Sequence, residues 1–596
     1  MKKNITAYLA LALACTSVFA SCGGSSTTDG GSSSNPSSSG GGNSNMISAQ
    51  PLSVQELGEG FNAAYLPDVS SINQLSGKID VCLDFEGTQS GWRALAKEYK
   101  RLQGGAVEVN INTNYAGSSY GQKLNSELTN TNTDWDIVEG NLGYGSTYIY
   151  CIDMYSAIAS YNPYCGADVQ WSSVLEKAAY TTKEADTSGK SIILNSEVMQ
   201  TCWFVNEVAL EAAGTLGYKN ASEEVGHPET WDDLISLCQY MQQAGYSNPL
   251  GISLTSASVE SLQFSWLLRV YGDYYYRQFY QYVMGGDKNT IWEGYDETEE
   301  VVELNNGYGV RYAKILNILF DEECSFGPGN VGFTSEVYRD FVSQLAKMKG
   351  LLMMNVSSTE FGELRDKFEM QSDGMSSPQI ILDYQGFGIN YEKAATDTFK
   401  AGYFDYPQMI SGKYTRGDKI GESIVPETTI TRDIGGNGGF LSIINHMGDA
   451  TQNQLNKDFI KFVMSPYGQT IYYKGLAEAG DVPKGLSSVK NDLVVIPNEW
   501  KAYFEKSNQT IEFSGDVDAN PFLSWGVRYV NGLEKTRACI TENWQNLLMT
   551  GRSAEQTLSP ATFAVKWSEA VYADMLTCVA DNRWPENFWL DPNYNL

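Results

Sequence analysis

Residues 79–101 read IDVCLDFEGTQSGWRALAKEYKR, and they decide the fold class. Ile79, Val81, Leu83 and Phe85 are apolar with Asp80, Cys82 and Asp84 between them, the period-two pattern of a strand. A turn-forming run from Glu86 to Gly91 follows. Trp92, Leu95, Ala96, Tyr99 and Leu102 then recur at the spacing of a helix face. Val107, Val109 and Ile111 alternate as a second strand, a helix runs through Leu124 and Leu128, and Trp135 to Val138 makes a short third strand. Strand–helix–strand–helix–strand predicts a parallel sheet with crossover helices. Ligands of such sheets gather at the carboxyl ends of the strands. Here those ends are Glu86 to Ser90, Asn112 to Tyr115 and Glu139 to Tyr144.

Further along, a second α/β region begins. Thr230 has the chemistry of a helix N-cap with Asp233 at the third helical position, and Trp231, Leu234, Ile235, Cys238 and Met241 share one face. Gly245-Tyr246 turns the chain into a short strand at Leu250 to Leu254. Tyr271 to Gly327 is a Tyr-rich, acidic stretch of weak periodicity. Pro378 to Leu382 reads as a buried strand and Phe440 to Ile444 as another. Leu455, Phe459, Phe462 and Val463 mark a helix expected to stop near Pro466. Phe563, Trp567, Val571 and Met575 stripe a C-terminal helix, and no internal repeat appears.

The N-terminus reads as an address. Lys2 and Lys3 precede an apolar run too short to span a bilayer, ending at Phe19-Ala20-Ser21-Cys22. A Cys after Ala-Ser resembles the lipobox of bacterial lipoproteins, which implies a signal peptide over 1–21 and lipidation of Cys22. Residues 22–45 are nearly all Gly, Ser, Asn and Thr beyond the Cys. Such a tether spans about 25 Å on average. The solute-binding region then occupies 46–596. A net charge of −30 makes nucleic acid and anionic headgroups poor partners, so membrane attachment is expected through the N-terminal lipid only. With two His and no C-x-x-C pair, no metal or cofactor is expected. The cysteines read as buried free thiols, with a Cys151–Cys165 disulfide as the alternative.

From these segments a family resemblance emerges. The stretch at 79–101 resembles the opening strand and helix of the extracellular solute-binding proteins of family 1, the maltose-binding-like proteins of sugar ABC transporters. DWDIVEGN (134–141) resembles their third strand. CWFVNEVALEAAG (202–214) and HPETWDDLISLCQYMQQAG (227–245) resemble the segments that follow. GGNGGFLSIINHMGDATQNQLNKDFIKFVMSPYGQTIYY (435–473) resembles the Gly-rich turn, strand and helix of the family, and GDVPKGLSSV (480–489) its next turn. The resemblance implies a type II periplasmic-binding-protein-like fold of two α/β lobes with a hinge and an interlobe cleft. Lobe 1 is expected over approximately 75–205 plus part of 385–510, and lobe 2 over approximately 206–380 plus the C-terminal helices. It implies capture of a carbohydrate, an oligosaccharide above all, by a monomer that serves ABC transporter permease subunits. The place is the outer face of the cytoplasmic membrane of a Gram-positive-type bacterium.

Thirty-seven Tyr and 13 Trp suit a sugar ligand, since such rings stack on sugar C–H faces and keep a polar handle. Strand ends nominate Glu86, Gln89, Glu139, Asn141 and Tyr144 as ligand-binding. The resemblance implies Glu260, Gln263 and Trp266 in the second lobe, Asp383 and Tyr384 after its return strand, and Asn437 in the Gly-rich turn. It also implies Phe522 and Trp525 within NPFLSWG (520–526). No catalytic residue is assigned. One rival reading is a surface adhesin that holds polysaccharide without transport. Another is a hydrolase: Gly117-Ser118-Ser119-Tyr120-Gly121 fits G-x-S-x-G, with His446 and an acid such as Asp383 completing a triad. Four residues between strand and Gly117 make a poor nucleophile elbow. Nothing singles out a glycosidase carboxylate pair, and Asp516 to Asn520 lacks the Gly and closing Glu of a calcium loop.

Overall fold

A computed structural model describes residues 50–83, 86–113, 126–127, 133, 135–139, 150–176, 179–180, 191, 193–276, 333, 335–409, 430–437, 439–483, 485–498, 500, 534–582 and 585. The signal, Cys22, the tether, Ser119, Asp516 to Asn520 and most of Tyr271 to Gly327 lie outside them, as does most of the helix expected through Leu124 and Leu128.

In chain order the first elements are β1 (Gly77–Cys82), α1 (Gln89–Leu102), β2 (Val107–Asn112), β3 (Ile137–Glu139), β4 (Leu194–Asn195) and β5 (Glu197–Asn206). Next come α2 (Glu207–Thr215), α3 (Trp231–Gln243), β6 (Leu250–Gly251), α4 (Ser256–Ser261), α5 (Gln263–Tyr276), α6 (Glu336–Ala346), α7 (Phe361–Met370), β7 (Ile380–Tyr384) and β8 (Ala401–Phe404). The last are β9 (Gly435–Asn437), β10 (Phe440–Ile443), α8 (Ala450–Val463), α9 (Pro466–Ala479), β11 (Leu486–Ser487), α10 (Glu534–Leu548) and α11 (Pro560–Asn582). They form two compact units of discontinuous chain, with divisions after Met199, Gly436 and Ala502. The chain leaves unit 1 along β5 and returns through β9, which pairs with β5.

Unit 1 is built on the sheet β2-β1-β3-β10-β4. β1 runs parallel to both β2 and β3, as the strand–helix alternation predicts, and β10 enters antiparallel between β3 and β4. Ile79 and Val81 are fully buried, and Trp92, Leu95, Tyr99 and Leu102 form the buried face of α1. Helix α9 crosses α1 at close range. A Cβ on Gly91 would stand 2.5 Å from the Tyr472 ring, and one on Gly475 2.5 Å from Ala94 Cβ, so both helices need a glycine at the crossing. Pro466 does end the influence of α8, which stops at Val463, but it also opens α9. Ser465 caps that helix by accepting the Gly468 N–H at 3.0 Å. Proline suits this first position because the N–H it lacks would have no helical partner.

Polar groups buried in unit 1 are paired across long sequence separations. Asp136 accepts the Asp80 N–H at 2.8 Å and the side-chain amides of Gln452 and Asn456 at 2.9 and 3.0 Å. Asp458 accepts the hydroxyls of Tyr99 and Tyr164 at 2.7 and 2.6 Å, and burial raises its carboxyl above the usual range.

Unit 2 is centred on β5, with β7 and β8 antiparallel to it and β6 parallel to β7. Every residue of β7 is buried, as its apolar run predicts. The capping box at Thr230 is present: Thr230 Oγ1 accepts from Asp233 N at 3.1 Å and Asp233 Oδ2 from Thr230 N at 2.9 Å. Phe563 and Trp567 of α11 are buried, with Phe563 4.4 Å from Trp544 of α10 between ring centroids. Cys82, Cys151, Cys165, Cys202 and Cys238 are buried and form no disulfide. The alternative of a Cys151–Cys165 disulfide is thereby set aside, and burial pushes the Cys151 thiol up to about 12. No helix among the described residues is long and apolar enough to cross a membrane.

Candidate ligand-binding site

In unit 1 the carboxyl edge of the sheet gathers polar side chains. Glu86 opens a single 3-10 turn, Glu86–Thr88, that leads into α1. Gln89 begins the helix and donates from Nε2 to Thr113 Oγ1 at 3.3 Å, joining the loop after β1 to the residue beyond β2. Glu139, the last residue of β3, is buried opposite Leu441 of β10. Two neighbours were not singled out by sequence. Glu197, at the start of β5, is 3% exposed and Tyr472, on α9, 4%. Burial, then the negative charges of Glu197 and Glu139, hold the Tyr472 phenol well above its ordinary value, and its hydroxyl bonds to Glu197. Two carboxylates and a phenol thus meet at the ends of β3 and β5. The signal available in NSEVMQTCWFVN (195–206) is a charged residue opening an otherwise uncharged strand.

The Gly-rich turn was expected to let backbone approach a ligand at Asn437. Asn437 lies on β9, and the close approach in this turn is made at Gly439. A Cβ there would stand 2.4 Å from Ser196 Oγ and 3.1 Å from Glu197 N. Ser196 N donates to Gly439 O at 2.8 Å and Gly439 N to Asn195 Oδ1 at 3.2 Å. The missing side chain therefore seats β10 beside β4 and the residue that precedes Glu197.

In unit 2 the nominated residues collect around β7. Trp266 of α5 packs on Tyr384 and Phe361, with ring centroids 4.7 and 5.6 Å away, and is 5% exposed. Burial raises the Tyr384 phenol. Arg365 of α7 lies over the Phe387 ring at 3.5 Å and that of Phe361 at 4.6 Å. It donates two 2.8 Å hydrogen bonds to Asp383. Asp383 also accepts from the Tyr391 hydroxyl and from Tyr384 N. Gln263 spends both ends of its amide: Oε1 accepts from Ser253 N at 2.9 Å and Nε2 donates to Leu382 O at 2.6 Å. Asp383 and Gln263 thus hold an aromatic cluster in place. Sequence reading did not pick out Phe361, Arg365 or Phe387. Glu260 lies on α4. Asn141, Tyr144, Phe522 and Trp525 lie outside the described residues.

The residues of the hydrolase reading are differently engaged. His446 Nε2 lies 2.8 Å from Asp136 Oδ1, in an ion-pair contact that lacks the alignment of a hydrogen bond. The Asp136 carboxylate raises its pKa against the opposing effect of burial. Asp383 is committed to Arg365. Among the described residues no group of three or more His, Cys, Asp or Glu is placed to hold a metal.

Two outcomes follow from these pairs. Arg365→Met strands the Asp383 carboxylate, which is 0% exposed, and should cost about 3–5 kcal/mol in urea unfolding. Adding Asp383→Asn should recover part of the loss; no recovery would mean that Arg365 acts through ring packing instead. His446 has a folded-state pKa above its ordinary 6.5. The stability it adds is therefore complete below about 6.5 and is lost as pH rises through the folded value. The stability difference between the parent protein and His446→Gln should be larger at pH 6 than at pH 9, and an equal difference at both would refute the ion pair.

No protein-family model matches the chain and no curated protein does. Among solved structures the chain is similar to a cyclic α-maltosyl-1,6-maltose-binding protein from Arthrobacter globiformis, at 14% identity over 84% of this chain and 100% of that one, TM-score 0.48. It is similar to a mannobiose-bound binding protein of an ABC transporter from Bifidobacterium animalis subsp. lactis, at 12% over 87% and 100%, TM-score 0.47. It is similar to a family 1 extracellular solute-binding protein from Bifidobacterium longum subsp. infantis, at 13% over 84% and 100%, TM-score 0.45. Each is a likeness only, and the architecture of this chain rests on its own two α/β units of discontinuous chain.

Proposed function

We propose that the chain is a lipid-anchored extracytoplasmic solute-binding protein that captures a carbohydrate, an oligosaccharide, and hands it to an ABC importer. The observation that carries this reading is the way the chain builds its two units. It leaves unit 1 along β5, completes most of unit 2, and returns through β9 to place β10 inside the first sheet. Chemistry supports a sugar. Glu139, Glu197 and Tyr472 offer acceptors and a phenol for hydroxyls, and the Trp266–Tyr384 pair offers aromatic carbon for C–H faces. Similar solved structures bear the names of a cyclic maltosyl-maltose, mannobiose and raffinose. Glu86, Gln89, Asn141, Tyr144, Glu260, Asn437, Phe522 and Trp525 complete the proposed ligand set, with Gln263 and Asp383 as its internal supports. The reading assigns no catalysis, since Asp383 serves Arg365 and His446 adjoins Asp136. Lipidation at Cys22 and the Gly/Ser tether keep the monomer at the outer membrane face near its permease.

Calorimetry on the protein from Met46 onward, against raffinose, mannobiose and maltooligosaccharides, should find a binder. Glu139→Gln should weaken it roughly tenfold or more, the worth of one charge-assisted hydrogen bond. Failure of every saccharide to bind would remove the carbohydrate reading, and an unchanged affinity in Glu139→Gln would remove that residue from the site. In cells, Cys22→Ser should abolish incorporation of labelled palmitate and release the protein from membranes. A variant that still carries label is anchored elsewhere.

A further inference from the structure

Outside the candidate ligand site, unit 1 carries a groove of about 730 Å³ along the free edge of its sheet. Strand β2 is the terminal strand, and no strand among the described residues pairs with its outer side. Ala106 O and Asn112 O accept from Gly77 N and Leu83 N, so the even-numbered residues face β1. By the alternation of a ladder, Val109 and Ile111 direct their N–H and C=O groups outward. An open row of this kind is a template for another strand.

One wall of the groove is positive. Arg93, Lys97 and Lys100 of α1 line it and all three are exposed. They stand at i, i+4 and i+7, one stripe of the helix, and span about 10 Å. No carboxylate among the described residues pairs with them, whereas Lys78 in the same groove is paired with Asp80 at 2.9 Å. This stripe of positive charge stands on a chain of net charge −30. Lysines on an edge strand itself repel other edges. Here the cations sit on the neighbouring helix, and the strand presents Glu108, Val109, Asn110 and Ile111. Arg93 and Lys97, about 6 Å apart along the helix axis, match carboxylates two residues apart on an extended chain, which repeat at about 6.6 Å.

We propose that this groove docks an acidic, extended polypeptide segment of a partner protein, which adds to β2 as a further strand and sets its carboxylates against Arg93, Lys97 and Lys100. The backbone ladder supplies the attachment and the charges supply the selection. This surface is separate from the residues proposed to hold carbohydrate, so either reading stands without the other.

The test uses the full chain and a labelled octapeptide of alternating Thr and Glu, read by fluorescence anisotropy. The Thr–Glu peptide should bind, more weakly as salt rises. The matching Thr–Gln peptide should bind at least about tenfold more weakly, and so should a Thr–Glu peptide N-methylated at alternate amides. Lys97→Gln with Lys100→Gln should also cost about tenfold, and Glu108→Gln should tighten binding, with melting temperatures unchanged because these side chains are exposed. No binding of the Thr–Glu peptide overturns the proposal, as does affinity unaffected by the lysine substitutions. Equal binding of the N-methylated peptide, with displacement by dextran sulfate, would show a surface for polyanions in general and would also overturn it.

Discussion

Unit 1 is made from two stretches of chain with most of unit 2 between them, and the carboxylate of Asp136 is where the two are tied. One of its oxygens takes the Asp80 N–H from β1, and the other takes amide donors from Gln452 and Asn456 on α8. Its own carbonyl accepts the Ile444 N–H at the end of β10. A carboxylate taken out of water costs several kcal/mol unless its lone pairs are filled. Here they can be filled only when β1, β3, β10 and α8 are all in register. Asp458 repeats the device with Tyr99, Tyr164 and Gln103. Hydrophobic burial would accept many placements of α8, whereas these acceptors admit one.

Unit 2 uses the same physics with a cation. Asp383 at the end of β7 is satisfied by Arg365, Tyr391 and a backbone N–H, and the guanidinium is sandwiched between Phe361 and Phe387. A protein with 71 acidic residues therefore spends some of them on construction.

Much of the scaffold was legible in the sequence, because period and capping are local. The alternation at 79–85 gives β1, the helical stripe from Trp92 gives α1, Thr230 with Asp233 gives the start of α3, and the apolar run at 378–382 gives β7. The candidate site was legible only in part. Strand ends pointed to Glu139 and Gln89, and both lie at the carboxyl edge. Glu197 and Tyr472 escaped because their importance comes from packing between β5 and α9, partners far apart in sequence. Asp383 and Gln263 look like ligand residues on position alone. What separates them is which donors and acceptors face them, and that depends on α7 and on the turn after β6. Pro466 shows the same limit on a smaller scale: a proline after an apolar helix marks an end, and only Ser465 and the next turn reveal that it is also a beginning.

The placement of β10 bears on how the chain is made. In the order β2-β1-β3-β10-β4, the strand that links β3 to β4 is synthesised only after residues 200–436 have left the ribosome. Until then the first half of unit 1 holds a three-strand sheet with an open apolar edge at β3 and no seat for β4. Contacts of this sequence separation are slow to form. That order therefore leaves a long interval in which the N-terminal segment stays incompletely folded. It also makes that interval the time when the exposed edge of β3 is open to aggregation, or to a chaperone that covers it.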